Sequence, residues 1–262
     1  MPLPQKSRSK KPLLYGSVVV LAAALLGYAS YRATAPGPSP AAAGVSARPD
    51  AGEYEETAKL ARREPGDPLA LGRTDALVVL VEYGDFQCGY CGTFARDTEP
   101  DLIDAYVADG TLRIEWRNFP ISGAESEAAA RAAWAAGRQK RFWEFHRAAY
   151  AKGAKEKGFG PDRLTALAKE AGVKDLDKFR ADLDSVQASE SVSRDQAEAY
   201  GLGATATPSF LVNGRPLAGA QPDATFTSAI EEAAEVARTG SAAPTESVTP
   251  VGNPAGVTPD VG

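Results

Sequence analysis

The sequence predicts an α/β domain in which a block of helices interrupts the order of strands and helices. A continuous aliphatic run from Ala76 to Tyr83 is typical of a central strand that is buried on both faces. The stretch from about 124 to 200 contains few strand formers and many helix formers. Further along, the Asn213-Gly214 step between two short apolar segments indicates a β-hairpin with a type I′ turn.

The other elements of this domain follow in order. After the first strand, a helix is expected from about Gly92 to Ala108, with a break near Glu99 because Pro100 disfavours its continuation. Alternating apolar and polar residues from Leu112 to Phe119 predict a second strand. The two hairpin strands and the last helix are expected at Ser209–Val212, Arg215–Ala218 and Thr225–Arg238.

The segments that flank this domain differ from it in composition. Basic residues within 1–11 precede an uncharged run over 12–31, which approaches the roughly 20 residues that cross a bilayer. We expect an uncleaved, single-pass signal anchor with residues 1–11 in the cytoplasm. A cleaved signal peptide is the alternative, and both place the domain outside the cytoplasm. Residues 32–52 and 240–262 are rich in Pro, Ala, Gly and Ser, and predict a linker and a disordered tail around a domain over 53–239.

Bulk composition excludes one class of function. Hydrophobic residues make up 44% of the 262 residues and charged residues 24%, which is ordinary for a protein with a core. The net charge of -5 argues against a nucleic-acid binder, because no basic surplus is present to neutralise phosphates.

Both cysteines of the chain, Cys88 and Cys91, lie where the first strand passes into the following helix. A disulfide between them closes too small a ring to add much stability. The unpaired N–H groups and the dipole of the helix N-terminus stabilise a thiolate at Cys88. Because Cys91 lies one turn later, it can form or resolve a disulfide with Cys88. The pair therefore predicts a redox-active disulfide.

Zinc binding is the main competing interpretation of the pair. Tetrahedral zinc needs four ligands, and the chain offers no second cysteine pair and one histidine, His146. We therefore expect no metal and no cofactor. His146 lies among aromatic residues and is expected to be a packing residue.

The segment Val81–Cys91 resembles the active-site strand of DsbA-like proteins of the thioredoxin superfamily. The resemblance covers most of the chain from about Ala76 to Arg238. It implies a thioredoxin-like fold with a helical insertion over about 121–201, and the activity of a protein disulfide oxidoreductase. Three further stretches fit in order and spacing: Arg117–Pro120, Phe142–His146 and Ala206–Gly214.

The resemblance also implies substrate-binding residues. The Thr207-Pro208 bond would be cis and would present the backbone of Thr207 to an extended substrate beside Cys88. Gly89 and Tyr90, between the cysteines, complete the expected substrate-binding set.

Two acidic residues near the pair have different expectations. Glu82 lies in an otherwise apolar strand, either at a solvent-facing edge or, as the resemblance implies and as we expect, as a buried acid that moves protons for Cys91. Cys88, Cys91 and Glu82 are thus the expected catalytic set. Asp85, in the loop before Cys88, is expected to be solvated.

The dipeptide between the cysteines bears on the direction of exchange. Strongly oxidising DsbA-like proteins have Pro-His there, whereas Gly89-Tyr90 supplies no positive charge, so an intermediate reduction potential is expected. We expect a dithiol oxidase that introduces disulfides into exported proteins and is recharged by a membrane quinone-linked thiol oxidase. A reductase or isomerase is the alternative within enzymes. A peptide-binding holdase with an incidental Cys pair is the alternative from another class.

Overall fold

The computed structural model describes residues 54–241. The expected cytoplasmic segment 1–11, anchor 12–31, linker 32–52 and residues 242–262 of the predicted tail lie outside the described residues. Between residues 54 and 241, no helix is long and apolar enough to span a membrane.

The described residues form five strands and nine α-helices, with a π-helical turn at Ile103–Val107 and a 3-10 turn at Lys155–Lys157. The strands are β1 (Ala70–Leu71), β2 (Val78–Gly84), β3 (Leu112–Asn118), β4 (Ser209–Val212) and β5 (Arg215–Ala218). The helices are α1 (Glu55–Ala58), α2 (Gly89–Asp97), α3 (Glu99–Leu102), α4 (Ala124–Gly137), α5 (Phe142–Tyr150), α6 (Pro161–Glu170), α7 (Leu176–Leu183), α8 (Val186–Gly201) and α9 (Asp223–Ser241).

The five strands form one mixed sheet in the order β1-β3-β2-β4-β5. Strands β2 and β3 are parallel, with Val78 opposite Leu112 and Gly84 opposite Asn118. Strand β4 is antiparallel to β2, and β5 is antiparallel to β4. The strand predicted to be central is therefore central, and all of its residues are buried.

Side chains along β2 alternate between the two faces of the sheet. Val78 and Leu80 belong to the larger hydrophobic core, which also contains Cys91. Residues of the opposite parity belong to a smaller core on the other face. Glu82 has the parity of Val78 and Leu80, so its carboxyl group is directed to the face that carries Cys91.

Apolar and polar residues alternate along β3, but the polar ones do not face solvent, because every residue of β3 is buried. Glu115 accepts hydrogen bonds from Arg113 Nε at 2.7 Å and Arg117 Nη2 at 2.8 Å. Its carboxylate also accepts from the backbone N–H groups of Arg62 and Arg63, at 2.9 and 2.8 Å. The segment before β1 thus covers the polar side of β3 and satisfies its charges.

The helix after β2 begins earlier than expected. It starts at Gly89, because the sulfur of Cys88 accepts a hydrogen bond from the backbone N–H of Cys91 and caps the helix. The expected break falls at Thr98, between the end of α2 at Asp97 and the start of α3 at Glu99, and Pro100 lies in the first turn of α3.

The remaining elements follow the expectation closely. The helical insertion consists of five helices, α4 to α8, between β3 and β4. The hairpin strands have the expected bounds, and positive φ angles of 45° at Asn213 and 86° at Gly214 fit the type I′ turn. Helix α9 extends to Ser241, so the first two residues of the predicted tail are helical.

Candidate active site

The Cys pair lies at the carboxyl end of β2, where the chain enters α2. Cys88 is half-buried and Cys91 is buried, and both are free thiols. The sulfur of Cys88 accepts the Cys91 N–H at 3.4 Å, and the Cys88 thiol donates to the carbonyl oxygen of Thr207 at 3.1 Å. One sulfur is thus accessible at a helix N-terminus, and the other is shielded one turn below.

The residues expected to bind substrate surround Cys88. The Thr207-Pro208 peptide bond is cis, as the resemblance implies. Thr207 is half-buried and Pro208 is buried directly before β4. Gly89 is exposed and Tyr90 is 72% exposed, so that a large aromatic side chain stands free beside the accessible sulfur.

The two thiols are electrostatically unequal. The pKa of Cys88 is lowered to about 6, chiefly by its interaction with the Cys91 thiol and further by Thr207 and the backbone N–H groups of Cys91 and Tyr90, which together outweigh burial. Burial first, and then the interactions with Cys88 and Glu82, raise the pKa of Cys91 well above its ordinary value. Near neutral pH the pair therefore holds a thiolate at Cys88 and a thiol at Cys91.

Alkylation of the reduced protein by iodoacetamide tests this inequality. We expect Cys88 to react with a rate that reaches half its maximum near pH 6, compared with about 8.5 for a free cysteine. Cys91 is expected to stay unmodified, because it is buried. In the Cys91→Ser variant the midpoint is expected to rise, since the largest cause of the lowered pKa is removed. A wild-type midpoint at or above pH 8 contradicts the assignment.

Glu82 is buried in β2, so the solvent-facing alternative for this residue is wrong. Neither carboxyl oxygen has a hydrogen-bond partner. Burial, the charge of Glu99 and the charge of Cys88 raise its pKa well above the ordinary value. A protonated Glu82 is thus stabilised next to the shielded thiol.

Glu82 belongs to a buried group that the sequence did not reveal. One ligand atom from each of Glu82, Glu99 and His146 lies within 4.8 Å of the others, and all three residues are buried. Glu99 Oε2 and His146 Nδ1 are 3.6 Å apart. Burial raises the pKa of Glu99 to about 8 and lowers the pKa of His146 to about 3. His146 packs among aromatic rings as expected, but both of its nitrogens lack a hydrogen-bond partner.

Asp85 is buried rather than solvated, which corrects the expectation. Its carboxylate accepts hydrogen bonds from the backbone N–H groups of Gln87, Ile121 and Ser122, at 2.8 to 3.0 Å. These bonds join the loop before Cys88 to the start of the helical insertion. Asp85 therefore holds the loop in place. The sequence shows only a polar residue in a loop, and from that its three backbone hydrogen bonds could not be predicted.

A groove opens on one side of the Cys pair. It is lined by Cys88, Gly89, Arg96 and Tyr150, together with the segment 151–156 that follows α5. Arg96 Nη1 donates to the backbone carbonyl of Tyr150 at 2.8 Å and so joins α2 to α5. The accessible sulfur thus lies between this groove and the Thr207 backbone.

Comparison with known families agrees with this geometry. A family model described as thioredoxin matches residues 64–232. The chain belongs to the thioredoxin family. It is 35% identical over 150 residues to the probable disulfide bond formation protein D of Bacillus cereus, across 55% of this chain and 69% of that protein.

Solved structures of the family superpose on the chain. BdbD from Bacillus subtilis, in its oxidised form, has 25% sequence identity and a TM-score of 0.60, with 65% of this chain and 94% of that chain covered. The α-DsbA1 protein of Wolbachia pipientis has 23% sequence identity and a TM-score of 0.60, with 70% of this chain and 98% of that chain covered. This second comparison shows that the two chains have the same fold. The chain is therefore a DsbA-like member of the thioredoxin superfamily and a protein disulfide oxidoreductase.

A second group of relatives carries a different name. A region of a Na(+)/H(+) antiporter NhaA of Herminiimonas arsenicoxydans is 38% identical over 168 residues. The chain spans 26% of the length of that protein. The similarity is thus confined to about a quarter of the antiporter, and we draw no transport activity from it.

Proposed function

We propose that the chain is an extracytoplasmic dithiol oxidase in which Cys88 is the exchanging sulfur and Cys91 the resolving one. The observation that carries the proposal is the inequality of the two thiols. Cys88 is accessible, capped by the Cys91 N–H and has a pKa of about 6, whereas Cys91 is buried with a raised pKa. A low thiolate pKa makes Cys88 the better leaving group from a mixed disulfide, and its accessibility makes it the sulfur that a substrate thiolate can attack.

In the proposed reaction, a substrate thiolate attacks the Cys88 sulfur of the oxidised pair. The Cys88–Cys91 bond breaks, and Cys91 leaves with the bonding electrons and takes a proton, for which the buried carboxyl of Glu82 is the donor. A second substrate thiolate then attacks the substrate sulfur of the mixed disulfide. The product disulfide forms and Cys88 is released as a thiolate.

Substrate is held beside Cys88 by main-chain contacts. An extended peptide pairs with the backbone of Thr207 in the manner of an added strand. Gly89 leaves room for the peptide, and the exposed ring of Tyr90 packs on its side chains. Main-chain recognition of this kind accepts many sequences, which suits an enzyme whose substrates are exported proteins with thiols.

Oxidation is the proposed direction because three of the relatives, at 28 to 35% identity, are named disulfide bond formation protein D or probable disulfide bond formation protein D. The proposal includes a location outside the cytoplasm, tethered by the apolar segment 12–31, and a membrane quinone-linked thiol oxidase as the partner that restores the disulfide. The basic residues before that segment and the uncharged run itself support this orientation.

The reduction potential of the Cys88–Cys91 pair, measured in glutathione buffers, tests the direction. We expect a value between about -270 mV, typical of thioredoxin, and about -120 mV, typical of DsbA, with the pair oxidised in the native cell envelope. The Tyr90→His variant is expected to have a higher potential, since an imidazole beside Cys88 stabilises the thiolate. A potential near -270 mV with the pair reduced in cells supports the reductase alternative instead.

A further inference from the structure

Three ionisable side chains meet in the core on the side of the sheet that carries Cys91. Glu82 comes from β2, Glu99 from α3 and His146 from α5. Their nearest functional atoms lie within 4.8 Å of one another, and no more than 2% of any of the three residues is exposed. Both oxygens of Glu82, one oxygen of Glu99 and both ring nitrogens of His146 have no hydrogen-bond partner.

Such a group cannot carry its full charge inside the core. Two carboxylates in one apolar site repel each other and lose hydration, so at least one proton is retained between them. Burial keeps His146 neutral, with a pKa of about 3, and leaves it one N–H donor and one acceptor nitrogen. The arrangement is that of coupled acids which titrate as a unit.

We propose that Glu99 and His146 are positioning residues which, together with Glu82, keep one exchangeable proton in the core and thereby set the pH range in which Cys91 can exchange. This inference rests on the proposed function, since it concerns the proton of the resolving thiol. It extends the role expected of Glu82 to two residues that lie on other elements.

Charged and titratable groups lie on two sides of this group of three side chains. On one side, Cys88, which caps α2, and Cys91 in its first turn interact electrostatically with Glu82. On the other side, the exposed Arg147 of α5 interacts with Glu99 and His146. The neighbouring titratable groups are Tyr150 of α5 and Asp85 of the loop after β2. Because the positive charge of Arg147 lowers the pKa of Glu99 and of His146, it favours loss of the shared proton at the Glu99 end of the group and opposes protonation of His146.

When a mixed disulfide at Cys88 is resolved, the Cys91 thiol gives its proton to the Glu82 carboxylate, and the Cys91 thiolate attacks the Cys88 sulfur. The Cys88–Cys91 bond forms as in reoxidation of the pair, and the sulfur that had been joined to Cys88, from the recharging partner or from a reagent disulfide, leaves as a thiolate with the electrons of the broken bond. Before this step, Glu99 holds the proton that the two carboxyl groups share. Glu99 releases that proton to solvent, and the proton that Glu82 has received from Cys91 takes its place.

Two measurements on the full reduced chain test the proposal. The first follows the infrared band of protonated carboxyl groups from pH 5 to 10. The second follows the reaction with Ellman's reagent, in which attack by Cys88 releases one thionitrobenzoate and resolution by Cys91 releases a second. The pH profile of this second release reports the proton transfer at Cys91, whereas the first release reports Cys88.

The two substitutions are expected to act in opposite directions. In Glu99→Gln, two midpoints are expected to fall by about one pH unit or more: that of the last carboxyl titration in the infrared band, and that of the second thionitrobenzoate release. The reason is that Glu82 then loses its proton without a second carboxylate beside it. In His146→Phe, which keeps a planar ring in the aromatic site, both rise, because the polar ring nitrogen 3.6 Å from Glu99 Oε2 is replaced by an apolar group that stabilises the carboxylate less. Glu99→Met serves as a second variant if Glu99→Gln does not fold. Glu127→Gln, on an exposed position of α4, is the control and leaves both profiles unchanged.

The outcomes are separable from those of the proposed function. No second release from the wild-type chain at any pH contradicts the assignment of Cys91 as resolver, whatever the carboxyl band does. Normal second release with unchanged profiles in Glu99→Gln and His146→Phe overturns the positioning role. A metal ion bound one-to-one to the purified protein and lost in Glu99→Gln also overturns it, because the same atoms would then be ligands.

Discussion

Replacing Cys88 with serine is expected to reduce thiol–disulfide exchange by at least about a thousandfold, because a serine hydroxyl neither ionises near neutral pH nor forms a sulfur–sulfur bond. The measurement is the rate at which the oxidised protein forms a disulfide in a reduced peptide that carries two cysteines. The fold is expected to persist, since Cys88 is only half-buried and a serine oxygen can still cap α2.

The matched control for this prediction is Tyr90→Phe, which alters the neighbouring side chain and retains the sulfur. We expect its exchange rate to stay near that of the wild type, since the ring of Tyr90 is exposed and no step uses its hydroxyl. Substantial exchange by Cys88→Ser would show that Cys91 or another group performs the chemistry. Retention of the full biological activity by a chain lacking both cysteines would instead support the holdase alternative.

The Glu115→Ala substitution is expected to lower the free energy of unfolding by about 3 to 5 kcal/mol, which is more than we expect from the other substitutions proposed above. The carboxylate of Glu115 is fully buried and accepts bonds from the buried guanidinium groups of Arg113 and Arg117. Its removal leaves both cations without their shared partner inside the protein. Denaturation by urea at pH 7 measures the loss. The Asp75→Ala variant, which breaks an exposed pair with Arg73, is the control and is expected to change stability little.

The same carboxylate predicts a pH dependence. Burial raises the pKa of Glu115, but the hydrogen bonds and charges of Arg113 and Arg117 outweigh burial and lower it to about 2, from an ordinary value of 4.5. Since the folded pKa is the lower one, the stabilisation is fully present above pH 4.5 and is lost as the pH falls toward 2. Wild-type stability should therefore fall more steeply over this interval than that of Glu115→Gln. Parallel curves for the two proteins would contradict this account.

Much of the fold follows from local sequence signals. The aliphatic run predicts β2 because a strand covered on both faces needs apolar side chains in both directions. Asn213-Gly214 predicts the hairpin because both residues adopt positive φ at low cost. The Cys pair predicts the site because a disulfide between two thiols one helical turn apart adds little stability, which favours a redox role. In each case, the residues that form the signal also form the structure.

The features that sequence reasoning missed depend on contacts between distant segments. Asp85 is buried because backbone N–H groups from residues 121 and 122 reach it, and loop polarity alone indicates solvent. Glu99 follows a predicted helix break, and no pattern at that position indicates that it meets Glu82. The polar residues of β3 are buried because the segment that contains Arg62 and Arg63 covers them. Parity with Val78 and Leu80 was the available signal that Glu82 is directed to the core.

The most direct test of the central claim is to trap the exchanging sulfur. A peptide disulfide is mixed with the reduced Cys91→Ser protein and, separately, with the reduced Cys88→Ser protein, and intact masses are recorded after an acid quench. Because each variant retains one cysteine, an adduct identifies its sulfur without further mapping. The account predicts a stable one-to-one mixed disulfide with Cys91→Ser near neutral pH and none with Cys88→Ser. An adduct on Cys88→Ser, with none on Cys91→Ser, would contradict it.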